Sequence, residues 1–182
     1  VYYSFLTEFD KNNIKFLGLG TSNANSYLVV PYGITTSLVS GTIIPFMNVV
    51  QTRRLRALPV RRYTKDITPP ILLYFSSNLN AGSLTLVFNE PVIANSFDVT
   101  GITLVSSTTG HAARISNLNR NVSLINVTNI QIFVTGKDLM NMKRASFLGK
   151  ALDLILMAPN ICRDFANNFY IGNDVSRPVR SI

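Results

Sequence analysis

Residues 83–107 read SLTLVFNEPVIANSFDVTGITLVSS, and this stretch restricts the possible folds more than any other part of the chain. Leu84, Leu86 and Phe88 fall on one face of an extended strand, and Thr85 and Asn89 fall on the other, because side chains alternate with a period of two. Pro91 has no backbone donor, so it ends the ladder directly after Glu90. A second alternating run then begins at 101–105.

The same pattern recurs along the chain. Residues 71–75, 84–88, 101–105, 122–125, 129–135, 152–157 and 168–171 are expected strands, separated by turn chemistry such as NLNAG at 78–82. Pro69 and Pro70 precede the first of these, which suits entry into an edge strand. No long amphipathic helix is expected; GKDLMNMKR at 136–144 holds one helical turn with Asp138 as its candidate cap. Short strands at this spacing predict an all-β, antiparallel sandwich. Hydrophobic residues make up 47% of the chain and charged residues 14%, which excludes a disordered polymer. No apolar run reaches the roughly 18 residues of a membrane span. The chain opens on Val1 with no charged-then-apolar leader after it, as expected of an internal or processed piece.

An internal repeat divides this string of strands. Residues 5–31 align without a gap on residues 133–159, at an offset of 128. Identities fall at Phe5/Phe133, Thr7/Thr135, Asp10/Asp138, Asn13/Asn141, Lys15/Lys143, Leu28/Leu156 and Pro31/Pro159. They are spread over strand, capped turn, next strand and terminating proline, as in a duplicated module. The expected organisation is therefore the carboxy-terminal half of one module at 1–50, a basic connector at 51–65, a complete module at 66–173 and the start of another connector at 174–182. Half a sandwich cannot bury its own apolar face, so its missing strands are expected from upstream sequence or from another chain.

The stretch DITPPILLYFSSNLNAGSLTLVFNEPVIANSFDVTGITLVSS at 66–107 resembles the tandem immunoglobulin-like repeats of large extracellular proteins. These include bacterial Ig-like domains, swimming-associated repeats, and surface or mastigoneme-type filament proteins. The matching residues are Asp66, Thr68, Pro69, Pro70, Leu84, Thr85, Leu86, Phe88, Glu90, Pro91 and Val92. A D-x-x-N-x-K turn fits the same pattern at Asp138, Asn141 and Lys143, and at Asp10, Asn13 and Lys15. The resemblance implies an Ig-like β-sandwich and a structural or adhesive role at the cell surface or outside the cell, with other copies or neighbouring modules as partners. The basic connector and the glycine-poor loop NICRDFANN at 160–168 depart from that pattern.

The candidate chemistry is sparse. Net charge is +8, concentrated in QTRRLRALPVRRYTKD at 51–66, which carries Arg53, Arg54, Arg56, Arg61, Arg62 and Lys65. This density suits an interface with a neighbouring module or an acidic glycan. No recognition helix or aromatic stacking platform accompanies it, which weighs against nucleic acid. Asn121 and Asn126 head the sequons NVS and NVT and are candidate N-glycan carriers. His111 is the only histidine and Cys162 the only cysteine, so neither a triad nor a metal cluster of these residues is expected. Cys162 is expected to be a small buried hydrophobe, and GLGTSN at 18–23 a connecting loop rather than a dinucleotide loop. Glu90, Asp98 and Asp138 lack the clustering of a calcium loop. No catalytic residue, cofactor or metal is expected. A carbohydrate- or polyanion-binding sandwich is the alternative expectation, and a basic jelly-roll viral coat protein is a second.

Overall fold

The computed structural model describes residues 5–22, 24, 26–28, 58–116, 122–145, 153–173 and 179–180. The chain divides into two compact units, one formed by Val1–Leu17 with Ile67–Ile182 and the other by Gly18–Asp66. In the smaller unit, β1 (Tyr27–Leu28) pairs antiparallel with β2 (Leu58–Pro59), and Val60 donates to the Ser26 carbonyl at 2.9 Å.

The larger unit is built from two antiparallel sheets. One has the order β3-β4-β8-β7: β3 (Leu72–Asn78), β4 (Ser83–Phe88), β7 (Val122–Asn126) and β8 (Asn129–Phe133). The other has the order β10-β9-β5-β6: β5 (Ile102–Val105), β6 (Ala112–Arg114), β9 (Leu154–Met157) and β10 (Val179–Arg180). Of the all-β, antiparallel expectation, a β-rich antiparallel fold is what forms, and β3 is an edge strand, as Pro69 and Pro70 suggested. Both sheets contribute to a single core, with Leu84, Leu86, Ile130 and Ile132 from one and Ile102, Leu104 and Ile155 from the other. Each such side chain contributes about 1.5–3 kcal/mol when removed from water. Phe88 sits edge-on between Phe97 and Tyr170, with ring centroids 6.0 and 6.2 Å away.

The β3–β4 hairpin turns at Asn78, whose Oδ1 accepts from the amides of Asn80 and Ala81. Gly82 closes the turn at φ 65°, and a Cβ there would lie 2.6 Å from the Val134 carbonyl oxygen. Two elements differ from the sequence reading. Residues 168–171 form no strand: Phe169 makes one isolated bridge to Arg163, and Tyr170 donates to the Cys162 carbonyl. The polar stretch around His111, expected as loop, contains β6, which pairs with β5 through Thr103↔Arg114.

Two nine-residue helices complete the unit, α1 (Glu8–Phe16) and α2 (Gly136–Arg144). Their spans differ by 128 positions, the offset of the internal repeat. Leu17 and Ala145 end them with the same bonds, to the carbonyls of Asn13 and Lys15 and of Asn141 and Lys143 respectively. Gly18, at φ 65°, then turns the chain out of α1. The repeat was expected to give one turn at 136–144, but a full short helix forms. Its N-cap is Thr135, not Asp138, and the Thr135 side chain makes no cap bond.

Candidate functional site

The Glu-Pro break that ends β4 is where α1, the helix of the first repeat, docks. Asn89 and Glu90 leave the strand just before Pro91, and Glu90 is buried, with its side chain 3% exposed. A carboxylate withdrawn from water needs a cationic partner or strong donors. It receives one from α1: Lys15 Nζ lies 2.5 Å from Glu90 Oε2. One turn away, Asn12 Nδ2 donates to the Asn89 carbonyl at 3.4 Å. Phe16 packs edge-on against Phe165, with centroids 5.6 Å apart. A carboxylate oxygen of Asp164 lies within 4.8 Å of one from Glu90. Asp164 is held by Asn168, whose backbone N–H and Nδ2 donate to it at 2.7 and 2.8 Å, and Asn168 Nδ2 also reaches the Thr68 carbonyl. The helix of the first repeat is thus seated on the end of β4 through contacts that include an ion pair, a long hydrogen bond and a ring contact. No residue of α1 is fully buried.

The equivalent positions of the two repeats differ in burial. Val134, Met142, Ala145 and Ile155, in the second repeat, are all buried. Their counterparts at the 128-residue offset are Leu6, Ile14, Leu17 and Tyr27. Leu6 is 53% exposed, Leu17 65% and Tyr27 48%, and Ile14 is half-buried. Apolar residue types therefore persist at positions that the described residues leave uncovered.

The same carboxyl position also acts differently in the two helices. Asp10 closes a capping box with Thr7, accepting from its backbone N–H and its hydroxyl. The Thr7 hydroxyl first, and then the Thr7 backbone N–H, hold the Asp10 carboxyl below its ordinary value. Asp138 is 3% exposed and accepts instead from Ser116 N and Ser116 Oγ, at 2.8 and 2.6 Å, which ties α2 to the end of β6.

The other expected site residues are dispersed. Asn126 ends β7, the edge strand opposite β3, and is exposed. Its Oδ1 accepts from the amides of Thr128 and Asn129, and its Nδ2, the atom that would carry a glycan, makes no hydrogen bond among the described residues. Asn121, Arg53, Arg54 and Arg56 lie outside the described residues. Arg61, Arg62 and Lys65 are exposed and form no ion pair among the described residues. Cys162 is 1% exposed, and burial first, then the Asp164 carboxylate, pushes its thiol up to about 12. His111 is exposed. Asp98 accepts from Thr100 N and Oγ1, closing the 3₁₀ turn Val99–Gly101, so Glu90, Asp98 and Asp138 each serve separate local contacts. Among the described residues no helix is long and apolar enough to cross a membrane.

The sequence reading did not single out Lys15, Phe16 or Phe165 as a contact set. The signal available was the pairing of two motifs: the lysine of D-x-x-N-x-K and the glutamate of the EPV strand end. Comparison with family models, with curated proteins and with solved structures finds no match to this chain.

Proposed function

We propose that this chain is a structural segment of a tandem Ig-like extracellular protein, whose modules pack end to end and share strands to build a filament, coat or adhesive array. The observation that carries this reading is the burial mismatch between the repeats. Positions that are core in the complete module stay apolar and uncovered in the first copy. An apolar residue kept at a core-equivalent position implies a covering surface, here the strands that precede the helix in a complete module.

The strand order supports the Ig-like reading. With β3, β4 and β5 taken as A, B and C, the sheets read A-B-E-D and G-F-C-C′, the pairing found in immunoglobulin domains. The seat of α1 on Glu90 supports end-to-end packing, since an element of one repeat is anchored on a buried charge of the next. Asn126, on an exposed edge with no bond to its Nδ2 among the described residues, fits a secreted chain in which a glycan covers β7 against unwanted strand pairing. The exposed cations Arg61, Arg62 and Lys65 fit a connector that bonds to a neighbouring module.

The test is sedimentation velocity across a concentration series, with the wild type beside a Leu6→Asp/Leu17→Asp variant. The wild type is expected to associate with rising concentration, and the variant to remain monomeric. A wild type that stays monomeric at the highest concentration refutes strand sharing. Association that persists in the variant refutes the assignment of this surface.

A further inference from the structure

One feature of the fold lies apart from the joint. Between β6 and α2 runs an open groove of about 490 Å³, lined by His111, Arg114, Ser116, Lys137, Asn141 and Arg144 among others. The lining holds three permanent cations and no carboxylate. The only acid on α2, Asp138, is buried beneath the groove and accepts two hydrogen bonds from Ser116. Arg114, Lys137 and Arg144 are exposed, and none forms an ion pair among the described residues.

The groove also has a fixed element. Arg114 Nε donates to the Thr100 carbonyl at 2.8 Å, which holds the plane of the guanidinium. Its two Nη groups make no hydrogen bond among the described residues, which leaves their donors available to an oxyanion. The Asn141 side-chain amide likewise has no partner among the described residues and offers both a donor and an acceptor.

From this we infer that the groove is a binding site for an acidic saccharide, one carrying carboxylate or sulfate groups along with hydroxyls. Arg114, Lys137 and Arg144 take the anionic groups, and Asn141 reads a hydroxyl. No Phe, Tyr or Trp lines the groove and His111 supplies its one ring, so a nucleic acid would find charge but little surface on which to stack its bases. The site is distinct from the arginine-rich connector and independent of the assembly reading. The first repeat does not carry it, because Phe9 and Phe16 stand where Lys137 and Arg144 stand in the second.

The test titrates the full chain with a sulfated uronate oligosaccharide, its desulfated and carboxyl-reduced counterpart, and a single-stranded oligonucleotide of equal charge. Two charge-matched variants are compared: a groove triple (Arg114→Gln, Lys137→Gln, Arg144→Gln) and a connector triple (Arg61→Gln, Arg62→Gln, Lys65→Gln). The acidic saccharide is expected to bind the wild type, and the groove triple to lose about a hundredfold or more in affinity, since charge-assisted bonds are lost at three places. The connector triple is expected to lose no more than about threefold, the part due to general charge. Equal losses in the two triples, or an oligonucleotide that binds as tightly as the saccharide, would overturn the site. Amide shift mapping on the wild type decides the matter without any variant: shifts confined to 111–116 and 137–145 support it, and shifts centred elsewhere refute it.

Discussion

Removing the Lys15 ammonium is the most direct probe of how the repeats are joined. An isolated helix of nine residues is marginal in water, so the backbone bonds of α1 are protected only while it is docked. Three contacts among the described residues help to hold it. The Phe16–Phe165 ring pair is worth about 0.5–1.5 kcal/mol. The Asn12 bond is long, at 3.4 Å, and weak. The ion pair joins a side chain 3% exposed to one 37% exposed. Losing one partner of a fully buried pair costs about 3–5 kcal/mol, and of an exposed pair at most about 1 kcal/mol. Because Lys15 is over one-third exposed, solvent screening puts this pair between the two, at about 1–2 kcal/mol. Lys15→Met is therefore expected to raise the undocked population of α1 about tenfold. Amide hydrogen exchange at residues 8–17 reads that change, with the amides of β4 and β8 as an internal reference. Glu90→Gln should free α1 to a similar degree while leaving no carboxylate at that buried position, so the strand end should suffer less. Exchange in Lys15→Met that matches the wild type across 8–17 would refute the claim that this pair seats the helix. So would a loss spread uniformly over the whole unit.

Three further outcomes follow from the geometry. Gly82→Ala forces a β-carbon against the Val134 carbonyl in a left-handed backbone, and should cost about 2–4 kcal/mol in denaturant melts; Gly110→Ala, also at positive φ but with open space around it, should cost only about 1 kcal/mol. The Cys162 thiol is raised from 9.0 to about 12 by its burial, so the neutral form is favoured in the fold: its contribution is complete below pH 9 and falls as pH rises from there toward 12. Denaturation series above pH 9 should show that decline and Cys162→Ala should show a shallower one, while the native thiol resists aromatic disulfide reagents at neutral pH. Thr7→Ala should quicken exchange at Asp10 and Lys11, whereas Thr135→Ala, which removes no cap bond, should leave α2 unchanged. Because the Asp10 carboxyl is lowered below its ordinary 3.8, the α1 cap is intact above that pH and weakens as pH falls beneath it.

The sequence by itself determined the elements and their duplication. The alternation of Leu84, Leu86 and Phe88 dictates a strand because neighbouring side chains on an extended backbone must face opposite ways, whatever surrounds them. The repeat placed Thr, Asp, Asn and Lys at matched positions, and both copies form helices of the same span, because capping and helix propagation act within a few residues. Where local signals were mixed, the sequence reading fell short. Ala112–Arg114 looks like loop until β5 supplies a partner, and residues 168–171 look like a strand that finds only one bridge. The partners of the charged groups were decided by tertiary structure alone. Asp10 and Asp138 are the same residue at the same helical position, yet one turns back to its own cap and the other reaches Ser116, 22 residues away in sequence. Lys15 and Lys143 are likewise equivalent, but among the described residues only Lys15 meets a buried carboxylate. A strand or a capped turn is set by neighbours along the chain, whereas an ion pair or a groove depends on which distant surfaces the packed core brings together.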